Sequence, residues 1–485
     1  HGDTRKSVWM EEQAEQRSPF EGEARRYGEA DGAKNMVRTW LSLDGSLSPR
    51  VKAITQWGFV CNNESDIVMM TANLQPRPQY VAHAVMADAL ADARFVADRS
   101  TGDVSCFEWK RGDGSFLAVW ANAGERDLTL EVPTGKLTVM DLMGNRSVLT
   151  ARQGLLTVHV TSMPVYLFGG GTISVSKRLE LRLSHGDVQA GKPQLRLTIK
   201  NNDHAEVSGK AIFQGEIAGE AMRPFSLKPG ESTVILVPVK TGLPTGKQTP
   251  FRVECRTASG ALYATAASLN FAQATRVAAP PALDGAWRGW ETAQVIPFGE
   301  TWQVVPPAVP DEKYTGPQDI SGNIRLLWDE KYLYLGVEAL DDVFLPQPER
   351  GMGGFMGDSI EFGVQPDAVH MQSAPYCEYE LYLPGGKPPV AASHRFPLPV
   401  GMVEKWQAAV VATGTRGNVN YQAAIPWADL GITAPTPGKV FSLALVLNDC
   451  DVPNRLSGSR CRLRWFEGVD NGKNPEGFGD VTLVE

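Results

Sequence analysis

Short stretches in which apolar and polar residues alternate dominate the chain from about residue 101 onward. FEWKR, FLAVWANAG, LTLEVP, LTVMDLMGN, LLTVHVT and PVYLFGG follow one another to about residue 170, separated by Gly, Asp and Asn turns. This period of two predicts half-buried antiparallel strands, and the region 101–172 reads as a small β-sandwich. A second run of such strands, ISVSKRLELRLSH to FRVECRTASG, predicts an immunoglobulin-like or fibronectin-like sandwich over 173–274. The Pro/Ala-rich segment ATRVAAPPALDG then marks a boundary, and 275–485 forms a third and larger β unit.

Residues 1–100 follow a different rhythm. KSVWM ends in Glu11 and Glu12, and NMVRTWLSL carries apolar residues at helical spacing. AITQWGFV reads as a second buried strand, and Pro76 and Pro78 introduce the amphipathic helix YVAHAVMADALADARFV. Strand, helix, strand, helix belongs to a parallel sheet or a (β/α) barrel, and two strands cannot close a barrel alone. The expectation is therefore a mainly β chain: a partial (β/α) barrel remnant followed by three β-sandwich domains.

Composition narrows the partners. The 485 residues carry a formal net charge of -8 and no Lys/Arg cluster, which excludes a phosphate-tracking surface and so predicts no nucleic acid partner. No apolar run approaches the ~20 residues needed to span a bilayer. The opening HGDTRKSVWMEEQ has no apolar signal core, so a leader or earlier barrel strands are expected upstream. The six cysteines form no zinc-ligand pattern. Cys450 and Cys461 flank a turn-rich segment, where a disulfide is an open alternative in an oxidising compartment.

The blocks LDGAWRGWETA, GNIRLLWDEKYLYLGVEALDDVF, GDSIEFGVQPD, NYQAAIPWADLG, FSLALVLNDCD and LRWFEGVDNGKNPEGFGDV occur in that order across 280–485. Together they resemble the family 9 carbohydrate-binding modules. The resemblance implies a sugar held between two aromatic faces, at Phe355 and Trp465, with the acid of the D-S-x-E block, Glu361, hydrogen-bonded to it. A sugar's C–H face stacks on a ring while its hydroxyls need polar partners. Against this, Trp465 also reads as a core residue at a strand end and Glu361 as a salt-bridged edge residue. Metals occur in such modules, so Asp341, Asp342 and Asp358 are candidate oxygen ligands for a structural Ca²⁺, although turn carboxylates commonly face water. No other cofactor is expected.

VWMEEQ resembles the end of the seventh barrel strand of clan A glycoside hydrolases, where a terminal Glu is the nucleophile. That resemblance places the nucleophile at Glu12, with Glu11 where a hydroxyl residue is usual. Trp57, at the end of the next strand, reads equally as the floor of a sugar subsite or as a buried tryptophan of barrel packing. The general acid/base would come from an earlier strand. The implied protein is the C-terminal region of a secreted, multidomain retaining glycoside hydrolase that binds polysaccharide or oligosaccharide. It would work outside the cell, at its surface or in the periplasm. The rival reading is a non-catalytic carbohydrate-binding or adhesion protein with a degenerate barrel.

Overall fold

The computed structural model describes residues 8–13, 32–42, 51–56, 69–70, 75–100, 104–122, 125–152, 154–171, 173–186, 192–305, 314–345, 354–370, 374–384, 390–395, 406–413, 417–451, 461–469 and 474–485. The chain divides into two compact units, one comprising 1–184, 195–237 and 250–268, the other 185–194, 238–249 and 269–485. The architecture is mainly β, as the alternation predicts.

In the first unit, strands Val8–Gln13 and Val51–Gln56 pair in parallel, and residues 32–42 between them are helical. Glu12 falls on the backbone of the first of these strands, while Trp57 lies outside the described residues. The helix Pro78–Leu90 has proline in its first turn and buries Ala82, Met86 and Ala89 at helical intervals. It packs, with Met36 and Leu41 of the earlier helix, on one face of a six-stranded antiparallel sheet through Phe107, Trp109, Phe116, Ala118 and Trp120. The opposite face of that sheet, with Leu117, Val119 and Leu167, closes on the three-stranded sheet containing Arg126–Glu131 and Leu155–Val160. Both faces are covered, which explains why FLAVWA is apolar without interruption. The next sandwich pairs a three-stranded sheet, including Leu179–His185, with the four strands Met222–Leu227, Val207–Gln214, Thr249–Thr257 and Leu262–Leu269.

The second unit is built on a thirteen-stranded sheet that folds around a single large apolar core. Strand Val440–Asp449 lies at its centre, pairing with Ser359–Gln365, Cys461–Trp465 and Gly479–Val484. Phe441, Leu443, Leu445 and Leu447 face the core, with Ile360, Phe362 and Val364 beside them. Segment 238–249 belongs to this unit because it lies on the core: Trp465 Nε1 donates to the Thr245 carbonyl at 3.1 Å. The expected boundary near 274 is thus crossed by an earlier loop.

The possible Cys450–Cys461 disulfide is not formed, and both thiols are free and buried. Register explains this, since Cys461 sits directly opposite Asp449, leaving Cys450 one residue past its cross-strand partner.

Leu445, fully buried in the central strand, sets the first prediction. Leu445→Ala should lower unfolding free energy by about 2–5 kcal/mol. Chemical denaturation monitored by tryptophan fluorescence checks this, and an unchanged midpoint would contradict the core assignment.

Candidate functional site

A strand buried on both faces sorts its side chains by parity. Opposite the apolar core, Ser359–Gln365 presents Ser359, Glu361 and Gln365, while Cys377–Tyr382 presents Glu378, Glu380 and Tyr382. Val440–Asp449 adds Ser442 and Asn448, and Cys461–Trp465 adds Arg462 and Arg464. The ladder aligns these groups into rows: Glu380 opposite Glu361, with Val446 and Arg464 beyond, and Tyr382 opposite Ser359, with Asn448 and Arg462 beyond. Most of this wall is polar and buried, with Glu361 at 5% exposure and Glu380 and Asn448 at 0%.

Buried polar groups must be hydrogen-bonded, and the wall meets that demand partly through itself. Asn448 Nδ2 donates to Glu361 Oε1 at 3.0 Å and to Ser359 Oγ at 3.1 Å. Ser359 Oγ donates to the Gly357 carbonyl at 3.1 Å, and Arg464 donates to Glu467 at 2.8 Å. Two half-buried aromatic residues belong to the surrounding structure. Phe355 sits in the short 3-10 turn Gly354–Met356, which packs against strands Ser359–Gln365 and Cys377–Tyr382. Phe466 packs between the main core and a smaller cluster of Val446, Ala444, Val469 and Phe478.

Glu361 lies on this wall and Phe355 in the turn that packs against its strands, whereas the expectation for Trp465 is corrected. Trp465 is fully buried and packs in the apolar core with Leu445, its register partner. Its neighbour Phe466 adopts a left-handed backbone with φ 65°, unusual for a bulky residue, and meets the Trp465 ring edge-on at 4.8 Å. The alternation C-R-L-R-W already carried this signal, because Cys461, Leu463 and Trp465 share one parity. Glu380, Arg464, Tyr382 and Asn448 were likewise readable as the polar parity of their strands.

A second cluster gathers at the strand ends. Asp341, Asp449 and Asp451 bring carboxylate oxygens within 4.8 Å of one another, as do Asp319, Asp342 and Asp451. Asp319, Asp449 and Cys461 form a third such group. The candidate ligands Asp341 and Asp342 therefore join three aspartates that the sequence reading did not single out. Asp358 plays another part: its oxygens accept from the backbone N–H groups of Leu345 and of Cys450, the latter at 2.7 Å. Asp358 thereby holds two strand ends beside the cluster. Asp449 is fully buried, and neither of its oxygens has a hydrogen-bond donor among the described residues. Burial, then the neighbouring Asp341 and Asp451, push its carboxyl up to about 10. Burial and the aspartates around it push Asp341 up to about 8. An all-carboxylate set with orphaned oxygens fits a hard divalent ion such as Ca²⁺, which takes six to eight oxygens, roughly.

Residues 297–485 match the family described as carbohydrate family 9 binding domain-like. That stretch, the C-terminal part of the chain, is similar to this family. A family 9 carbohydrate-binding module from Caldicellulosiruptor kristjanssonii, solved with cellotriose, is similar at 14% identity, covering 44% of this chain and 94% of that one, with a TM-score of 0.32. The same description solved with glucose gives 14% identity, the same coverage and a TM-score of 0.33. A family 39 glycoside hydrolase from the gut symbiont Bacteroides cellulosilyticus WH2 is similar at 19% identity over 33% of each chain, with a TM-score of 0.27. No curated protein matches the chain.

The raised carboxyls of the family 9-like domain invert the usual acid-side behaviour. Between about 3.8 and 8 for Asp341, and up to about 10 for Asp449, the metal-free folded state binds more protons than the unfolded chain. Stability must then fall as pH rises through that window. In excess EDTA, the contribution of this cluster should lower the melting temperature from pH 5 to pH 8, and Asp449→Asn should flatten the decline. A decline equally steep in wild type and Asp449→Asn would contradict this assignment.

Proposed function

We propose that the family 9-like domain captures saccharide on its polar strand wall, with Glu361 and Asn448 as the central hydrogen-bonding pair and Phe355 and Phe466 as its aromatic margins. The observation that carries the reading is the Asn448–Glu361 bond, at 3.0 Å, which joins Asn448 to the neighbouring row of Glu361, Glu380 and Arg464. Carboxylate, amide and guanidinium groups at strand spacing match the mixed donors and acceptors of a sugar's hydroxyl rim. The family match over 297–485 supports the same ligand class.

In this reading, Asp341, Asp342, Asp319, Asp449 and Asp451 hold a structural Ca²⁺. The ion neutralises carboxylates that would otherwise repel one another and fixes the strand ends that flank the wall. The wider protein is a secreted, multidomain retaining glycoside hydrolase acting outside the cell, at its surface or in the periplasm, and Glu12 is its nucleophile. The parallel pairing of Val8–Gln13 with Val51–Gln56 across a helix supports this wider assignment.

The experiment is a glycan array followed by titration of the retained oligosaccharide, with Ca²⁺ present throughout. Glu361→Gln should weaken binding by about 10- to 100-fold, the worth of a charge-assisted hydrogen bond. Phe355→Ala should also weaken binding while leaving the melting temperature nearly unchanged. Wild-type affinity in Glu361→Gln, or no glycan retained by the native chain, would overturn the proposal.

A further inference from the structure

In the first unit, Asp127 and His159 stand directly opposite each other on the paired strands Arg126–Glu131 and Leu155–Val160. His159 Nδ1 lies 3.0 Å from Asp127 Oδ1, and the Asp127 side chain is completely buried. The other Asp127 oxygen accepts from Arg252 Nε on the neighbouring strand Thr249–Thr257. A carboxylate oxygen can only accept, so Nδ1 donates the proton of that bond. The remaining imidazole nitrogen, Nε2, points to Glu125 Oε2 at 3.4 Å, and both of those side chains are about half exposed, at 47% and 50%.

We infer that His159 Nε2 and a Glu125 oxygen are two ligands of an open site for a borderline divalent ion such as Zn²⁺, with Asp127 as the positioning residue. Ligands about 2.0–2.2 Å from one ion at a tetrahedral angle stand roughly 3.3–3.6 Å apart, the separation found between these two atoms. A carboxylate on the far ring nitrogen is the usual means of fixing a ligating imidazole's tautomer and orientation. One nitrogen with one carboxylate oxygen selects zinc, nickel or copper over calcium.

Charge is favourable as well. Glu125, Asp127 and Glu254 face Arg252 and Arg256, which pair with Glu254 at 3.2 and 2.9 Å, so a neutral imidazole leaves the cluster at about -1. Glu125, His159, Gln214, Phe251 and Arg252 also line a partly open cavity of 160 Å³. At about 30 Å³ each, a few waters fit there to complete the coordination. Metal binding needs the Nε2 lone pair, so any proton on that nitrogen leaves as the ion arrives. This site is separate from the saccharide wall and does not depend on it.

The test uses the full chain, saturated with Ca²⁺ so that the aspartate cluster is filled, and titrated with Zn²⁺ by calorimetry. Wild type should bind one more zinc ion than His159→Gln. Glu125→Gln, at a half-exposed position that leaves folding intact, should weaken that ion's binding. Asp127→Asn should weaken it by about 10- to 100-fold. In ¹⁵N spectra of the imidazole, Asp127→Asn should also shift the proton away from Nδ1, an effect that loss of packing alone does not produce. Equal zinc stoichiometry and affinity in wild type and His159→Gln, or in wild type and Glu125→Gln, would overturn the site. An unchanged tautomer and affinity in Asp127→Asn would remove its positioning role.

Discussion

The central strands of the C-terminal sheet are buried on both faces, one forming the large apolar core and the other setting Glu361, Glu380 and Asn448 beside a small apolar cluster. That constraint governs the rest of the domain. Leu443, Leu445 and Leu447 gain stability by leaving water. Asn448, one residue further along, must instead replace each lost water contact with a protein hydrogen bond, and it does so through Glu361 and Ser359. A wall of this kind is costly unless its polar groups are satisfied. Structure and proposed recognition thus rest on the same pairing of parity and burial.

The acidic rim follows the same logic at the strand ends. Asp341 and Asp449 each close a strand that runs through the core, so their carboxylates cannot escape to water without fraying it. Asp358 is compensated by backbone N–H groups, whereas Asp449 has no donor among the described residues. An ion held there, as proposed, would be coupled to the folding of this domain. Its binding would order the segments around the wall, linking cation and saccharide through the fold alone.

Much of this was legible in the sequence. Alternation predicted the mainly β architecture, and the D-S-x-E block placed Glu361 on a strand whose polar parity faces the wall. The resemblance placed Trp465 at the sugar by motif position, whereas the alternation of CRLRW puts it with Leu463, inside, as the competing core reading has it. Asp319, Asp449 and Asp451 were not legible as ligands, since residues so distant in the chain meet only once the sheet has folded. The absence of a Cys450–Cys461 bridge depended on a one-residue register that spacing cannot reveal. His159 and Asp127 show the same limit, because their opposition arises from pairing two strands whose turn signals fix only an approximate alignment.

The most direct test of the central claim reads the wall itself. Asn448 carries a buried side-chain amide bonded to Glu361, and its two N–H resonances report any ligand that enters the row. On adding a bound oligosaccharide to the calcium-loaded protein, these resonances should move, together with the backbone amides of Ser359–Gln365. Saturating ligand that leaves the Asn448 amide unmoved, while shifting resonances elsewhere in the chain, would contradict the account.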